Sequence, residues 1–164
     1  MANTAMWGNP FKRVPADIKT ELKFLSSVPI FDTLSLKQLQ KIQKLIHVRN
    51  YEESEVVFRQ GDPGVGMYIV RDGALFVYNE YSDLTRRKIA SMNPGDFFGE
   101  IALLNDGARS ATVAAARPTV LFGLFRPDLM SVMDSDPKLG QRIIYRLSQI
   151  VAERLRLTNL NITD

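Results

Sequence analysis

The most informative stretch of the sequence is NPGDFFGEIALLNDGARSATV, which spans residues 93–113. Gly99 in this stretch permits a close backbone approach that a side chain would block. Residues 100–104 are too apolar for a solvent-exposed loop and suit one helical turn, whose first N–H groups attract an anion. Arg109 follows with a planar guanidinium that fits two phosphate oxygens. The stretch therefore predicts a site for an anionic group.

Two neighbouring side chains narrow the nature of that group. Ser110 adds a hydroxyl and a backbone N–H beside Arg109. Glu100 is a carboxylate within an anion site, so it must face something other than the anion. A sugar hydroxyl, which is a hydrogen-bond donor, would satisfy it. Phosphate and ribose in one compact pocket indicate a nucleotide.

The sequence on either side of this stretch predicts the fold. Within residues 16–46, apolar residues at helical spacing indicate two short helices, the second with Ser35 as its N-cap. Between residues 47 and 125 the pattern changes to short runs rich in β-branched and aromatic residues, separated by turns such as 61–64. The clearest runs are 56–58, 67–70, 75–78, 87–91, 112–115 and 120–125. Two further helices are expected within residues 126–158.

The composition limits the class of protein. The 164 residues are close to the size of one domain, and 45% hydrophobic with 24% charged residues is typical of a globular chain. We expect residues 1–15 to form a flexible leader. No apolar run approaches 18 residues, and the start of the chain lacks a signal-peptide pattern, so we expect a cytoplasmic protein with no membrane partner. With no cysteine and one histidine, no metal is expected.

The charge distribution leaves three interpretations open. The net charge of +3 is too small to predict a nucleic-acid partner. Residues 138–157, however, contain five basic residues and a single acidic one, Glu153. This basic helix is either a solvated polar face, a contact for the bound nucleotide, or a surface for an acidic partner. Nucleic acid is not expected to bind it, because Tyr145 is its only aromatic residue for stacking.

At this point the sequence resembles a known family. Residues 98–104 with 109–112 look like the phosphate-binding cassette of cyclic nucleotide-binding domains. Residues 28–34, 60–64 and 67–73 are similar to the early turns and strands of that family. The resemblance covers about residues 22–157. It implies an α+β, mainly β fold: an eight-stranded jelly-roll β-roll flanked by N-terminal helices and by C-terminal B and C helices. The four segments, residues 1–15, 16–46, 47–125 and 126–158, would then form one cyclic nucleotide-binding domain.

The resemblance also implies roles for the matching positions. Arg109 would pair with the cyclic phosphate, and Glu100 would accept the ribose 2′-hydroxyl. Val113, with residues of the early strands such as Ile69, would line the apolar pocket for the base. The full set of expected ligand-binding residues is Phe98, Gly99, Glu100, Ile101, Ala102, Arg109, Ser110, Ala111, Thr112, Val113 and Ile69.

The last helix is expected to fold over the base as a lid, with Arg154 or Leu155 in contact with it. In this family a threonine after the cassette arginine tends to accompany guanine selectivity, and an alanine adenine selectivity. Ser110 lies between the two, so cAMP is favoured as the ligand and cGMP stays an alternative. Ligand binding is expected to repack Leu103 and Leu104 against the helices that follow the roll.

The predicted function is a non-enzymatic, stand-alone receptor that signals through its C-terminal helices to a downstream protein. The sequence ends soon after the last helix, so no DNA-binding module is expected, and the resemblance leaves a homodimer through that helix open. A ligand-free β-roll scaffold and a nucleic-acid-binding regulator are the rival interpretations. An enzyme is not expected, because the sequence shows no clustered carboxylates or histidines to hold catalytic metals.

Overall fold

A computed structural model describes residues 18–81 and 85–161, so the predicted leader at residues 1–15 lies outside the described part of the chain. The helices of the described part are α1 (Ile18–Ser27), α2 (Leu36–Gln43), α3 (Ile101–Leu104), α4 (Arg126–Ser135) and α5 (Pro137–Asn161). Its strands are β1 (His47–Tyr51), β2 (Val56–Phe58), β3 (Gly66–Asp72), β4 (Leu75–Glu80), β5 (Arg86–Met92), β6 (Phe97–Phe98), β7 (Thr112–Ala115) and β8 (Thr119–Phe125).

The strands form two four-stranded antiparallel sheets, ordered β1-β8-β3-β6 and β2-β7-β4-β5. With the flanking helices, they confirm the prediction of an eight-stranded jelly-roll β-roll. Two strands were absent from the runs visible in the sequence. β1 is an edge strand that carries Arg49 and Asn50, and β6 has only two residues. Neither has enough alternating apolar residues to be recognised without its neighbours.

Two apolar clusters lie on opposite faces of the sheet that contains β3 and β6. Because side chains alternate along a strand, Ile69 packs on the face covered by the helices, and Val70 packs inside the roll. The two residues of β6 divide in the same way: Phe97 packs with the helices, and Phe98 packs inside the roll. The two side chains of β6 therefore contact the layer of helices and the inside of the roll, respectively. β6 lies immediately before the stretch that carries the predicted site.

The helix boundaries follow from local sequence. The N–H of Gln38 donates to the Ser35 hydroxyl, and the N–H of Ser35 donates to the Gln38 side chain, so the predicted N-cap of α2 is a capping box. α5 extends to Asn161, beyond the expected end at residue 158. No glycine or proline occurs in residues 158–161 to stop it, and the Thr158 hydroxyl donates to the Arg154 carbonyl at 2.9 Å.

α5 is held at its beginning and projects at its end. Leu139, Ile143 and Leu147 are fully buried in the cluster that includes α1, α2 and α4. The Arg146 guanidinium donates to both carboxylate oxygens of Asp32, at 2.6 and 3.1 Å, which fixes the middle of α5 to the turn after α1. From Ala152 to Leu160 every residue is exposed. No helix of the described residues is both long and apolar enough to span a bilayer.

We predict that Leu147→Ala lowers the free energy of unfolding of the nucleotide-free protein by about 2–5 kcal/mol, because it opens a cavity in the core under α5. The matched control is Leu155→Ala on the same helix, whose side chain is 60% exposed and should change stability by less than about 0.5 kcal/mol. Urea unfolding followed by circular dichroism measures both. Equal losses in the two variants would contradict this assignment of the core.

Candidate functional site

The predicted site lies between β6 and β7, where the chain leaves the roll for one helical turn and then returns. Gly99 follows β6, Glu100 precedes α3, and Arg109 lies shortly before β7. We call residues 98–112 the cassette. The structure brings its glycine, its carboxylate and its arginine to one place, although they are separated in sequence by up to ten residues.

Gly99 is required by both conformation and space. Its φ is +72°, in the left-handed region that side chains with a Cβ rarely adopt. A Cβ at this position would lie 2.4 Å from Nη1 of Arg109. An alanine here would therefore strain the backbone and displace the arginine.

Arg109 is buried, and backbone contacts hold it on several sides. Its side chain donates to two carbonyls, with Nη1–O of Gly99 at 3.2 Å and Nη2–O of Gly66 at 2.8 Å. Its guanidinium carbon lies 4.1 Å from the centroid of the Phe58 ring. Its own N–H donates to the Asp62 carbonyl at 2.8 Å. The residue is 8% exposed, so its orientation is fixed before any ligand binds.

The charge of Arg109 is incompletely compensated. Within residues 18–81 and 85–161, no carboxylate oxygen lies within 4 Å of its guanidinium nitrogens, and its buried Nε–H has no acceptor. Burial lowers the pKa of Arg109, an effect that Tyr68, Asp62 and Glu100 oppose through their charges, but an arginine stays protonated at neutral pH. A buried cation with no carboxylate in direct contact is the feature expected of a site that receives an anion.

Glu100 forms the other half of the site and already has a partner. Its carboxylate is buried, and its Oε1 accepts a hydrogen bond from Nη1 of Arg154 at 2.7 Å. Nη2 of the same arginine donates to the Phe97 carbonyl at 3.2 Å, and the guanidinium lies 4.4 Å from the centre of the Phe97 ring. Residue 154, on α5, therefore contacts the cassette, whereas Leu155 is 60% exposed.

The remaining cassette residues differ in their exposure and in the hydrogen bonds that they already make. Ile101 is exposed and Ala102 is buried, and the N–H of Ala102 donates to the Gly99 carbonyl at 3.1 Å. The hydroxyl of Thr112 is buried and accepts the N–H of Gln60 at 2.9 Å, so it already has a structural partner. Ser110 is exposed, and Phe98, Ala111 and Val113 are buried.

One expected pair is not brought together. The resemblance placed Ile69 and Val113 on a common wall around the base, but Ile69 packs with the helices and Val113 packs inside the roll. The reason is the alternation of side chains along β3, which turns Ile69 away from the interior. Tyr68 and Val70 are the neighbouring residues that pack on the same side as Val113. Ile69 is therefore corrected from a pocket residue to a core residue.

Three residues that shape the site, Phe58, Gly66 and Tyr68, were not expected from the sequence. The rings of Phe58, Tyr68 and Phe98 lie within 6.2 Å of one another, beside Arg109, and Gly66 supplies one of the carbonyls that bind it. Strict alternation of side chains along β3 would have placed Tyr68 inside the roll. Phe58 and Gly66 are distant in sequence from the cassette, so no local pattern connects them with it. Among the described residues, no three His, Cys, Asp or Glu side chains are grouped to hold a metal.

The part of the chain that contains the site matches a known family. Residues 48–136 match the family model of the cyclic nucleotide-binding domain. The chain is 30% identical over 134 residues to the cyclic AMP receptor protein of Thermus thermophilus, covering 82% of this chain and 60% of that protein. It is 31% identical over 137 residues to the cGMP-dependent protein kinase of Plasmodium berghei, covering 84% of this chain and 15% of that protein.

A solved structure is similar to this chain as well. The crystal structure of the Thermus thermophilus catabolite activator protein matches with a TM-score of 0.74 and 30% identity, over 82% of this chain and 62% of that one. The match extends across the roll and into the helices that flank it. The chain belongs to the cyclic nucleotide-binding domain family.

Proposed function

We propose that this domain is a receptor for a cyclic mononucleotide, in which Arg109 binds the cyclic phosphate and Glu100 accepts the ribose 2′-hydroxyl. The observation that carries the proposal is the buried guanidinium of Arg109, which has two carbonyl acceptors but no carboxylate in contact with it among the residues that the structure describes. Its two hydrogen bonds use two of five N–H donors, so donors remain for the oxygens of a phosphate. A singly charged cyclic phosphate is an anion suited to one such cation.

The carboxylate of Glu100 has room for a second donor. Arg154 binds Oε1, while a carboxylate offers about four acceptor positions on its two oxygens. A ribose hydroxyl therefore supplements the contact of Arg154 rather than replacing it. In this arrangement Glu100 links the sugar to the last helix.

The response to the ligand would pass through the same contacts to α4 and α5. Leu103 is buried in one cluster with Leu129 of α4 and Leu147 of α5, whereas Leu104 is 40% exposed. Leu103 is therefore the better candidate for the repacking that follows ligand binding. The ligand shifts the helices only by its difference in affinity for the two arrangements.

The identity of the base and of the partners belongs to the same proposal. We favour cAMP over cGMP because the residue after Arg109 is serine rather than threonine. The similar proteins include one named for cAMP and one named for cGMP, so cGMP stays the alternative. We further propose a cytoplasmic, non-enzymatic receptor that signals to a downstream protein, with a homodimer through α5 as a testable state. A scaffold without ligand is the outcome if no nucleotide binds.

We predict that Arg109→Ala weakens cAMP binding by about 2–5 kcal/mol, because the cyclic phosphate loses a charge-assisted contact in a desolvated site. Calorimetric titration of the nucleotide-free protein with cAMP and with cGMP measures the loss and the selectivity. Arg109→Lys keeps the charge without the planar fork and should recover part of the affinity. The control is Arg117→Ala, which removes an exposed arginine that donates to the Gly73 carbonyl far from the cassette. Wild-type affinity in Arg109→Ala would refute the phosphate contact.

We predict that Arg154→Ala weakens cAMP binding by about 1 kcal/mol and speeds amide hydrogen exchange in the last turns of α5. The loss is modest because the Arg154 guanidinium is partly solvated. Arg156→Ala is the matched control, since Arg156 pairs with Glu153 on the exposed part of the same helix. Tighter or unchanged binding in Arg154→Ala would show that this arginine is not part of a lid.

A further inference from the structure

The first residue of α4, Arg126, donates from its side chain to main-chain carbonyls of the cassette. Nε and Nη2 both donate to the carbonyl of Ala102, at 2.8 and 2.6 Å, and Nη2 also donates to that of Asn105 at 2.9 Å. The same Nη2 lies 3.3 Å from the carbonyl of Gly64, and Nη1 pairs with Asp106. One guanidinium thus joins α4 to the cassette helix and to the turn that precedes β3.

α3 needs such a contact because it is only four residues long. A single helical turn is not stable alone, and its last carbonyls have no partners within the helix. The carbonyl of Ile101 accepts the N–H of Asn105 at 2.9 Å, and the carbonyl of Ala102 accepts Arg126. A cation at this end also interacts favourably with the helix dipole. The helix is therefore fixed from its C-terminal end by a residue outside the cassette.

The turn around Gly64 supports the same end of the helix from the other side. The N–H of Gly64 donates to the Gly107 carbonyl at 2.9 Å, and a Cβ on Gly64 would lie only 2.9 Å from the Cβ of Ala102. Arg126 also joins this turn through its main chain, because its N–H donates to the Val65 carbonyl at 2.9 Å. Arg126, at the start of α4, therefore contacts both α3 and the turn around Gly64.

We propose that Arg126 is the positioning residue of the nucleotide site, a role that rests on the proposed function. By holding the C-terminal end of α3, it keeps Gly99 and Glu100 at the opposite end in place before the nucleotide arrives. It acts through α3 and does not contact the ligand. Because Arg126 also begins α4, the position of α3 and the start of α4 depend on each other.

Arg126 would affect affinity through the fraction of molecules in which α3 is held in place. When only a fraction of the molecules holds α3 in the binding-competent position, the apparent dissociation constant rises by the inverse of that fraction. Loss of Arg126 should therefore raise the dissociation constant in proportion to one plus the ratio of open to closed α3, so that binding weakens once the open form becomes the major one. A merely structural residue would lower the stability of the whole domain without linking the opening of α3 to the affinity for the nucleotide.

The test combines amide hydrogen exchange of the nucleotide-free protein with calorimetric titration by cAMP, for wild type and Arg126→Gln. We expect residues 101–105 to lose most of their protection against exchange, because α3 would be mostly open, and the dissociation constant for cAMP to rise about tenfold, which corresponds to about 90% open molecules. Exchange in β3 and β8 should not change, because the core of the roll does not depend on this contact. Saturating cAMP should restore slow exchange in α3.

Two further variants make the result decisive. Arg117→Gln removes an arginine that donates to a carbonyl in a distant turn and should leave both measurements at wild-type values. Arg126→Lys keeps the charge but lacks the planar fork, so it should be intermediate, and it provides the test if Arg126→Gln does not fold. Wild-type exchange and affinity in the Arg126 variants, or weakened affinity with unchanged exchange in α3, would overturn the proposal.

Failure of the proposed function has a different signature. In that case wild-type protein gives no heat with either cAMP or cGMP, whereas faster α3 exchange in the Arg126 variants still reports the contact. The proposed role of Arg126 in positioning a nucleotide site would then be overturned together with the proposed receptor function. The finding that Arg126 holds α3 would stand.

Discussion

The geometry of the site depends on one buried cation. The guanidinium of Arg109 lies against the Phe58 ring, between the carbonyl of Gly66 at the start of β3 and that of Gly99 at the end of β6. Both acceptors are glycines in crowded places: a Cβ on Gly66 would lie 2.5 Å from the Leu124 carbonyl, and one on Gly99 would meet the arginine itself. The fold thus surrounds the charge with backbone dipoles and an aromatic ring. Within the described residues no carboxylate contacts that charge directly, and neutralising it is the role that we assign to the ligand.

Two other arginines connect this centre to the helices. Arg154 of α5 binds Glu100 at one end of the cassette helix, and Arg126 of α4 binds the carbonyl of Ala102 at the other. Each of the two C-terminal helices therefore has its own polar contact with the cassette, in addition to the apolar packing of Leu103. A change at either end of this single turn would reach a different helix. This arrangement gives a physical route by which occupancy of the site could alter the exposed part of α5.

The parts of the account that sequence could predict are those with local signals. Short β-branched runs between glycine-containing turns indicated the roll, and the spacing of Gly99, Glu100 and Arg109 indicated a compact polar site. The pairing of Glu100 with Arg154 spans 54 residues and has no local signature, although Arg154 was one of two candidates for the lid. Arg126 has the sequence pattern of an ordinary arginine in the first turn of a helix. Ile69 was misassigned because resemblance identifies a strand, whereas the face that a residue occupies depends on the register of that strand.

The most direct test of the central claim is the NMR signal of the Arg109 Nε–H group, assigned by its absence in Arg109→Lys. This N–H is buried and has no acceptor in the described part of the chain, so its signal should shift strongly when the protein is saturated with cAMP and the group gains a phosphate nearby. Saturation would be verified by calorimetry on the same sample. A large shift of this signal, with smaller shifts for arginines far from the cassette such as Arg117, is the result that the account predicts. Full cAMP binding with an unchanged Arg109 signal would contradict it, because the buried guanidinium would then not be the group that receives the phosphate.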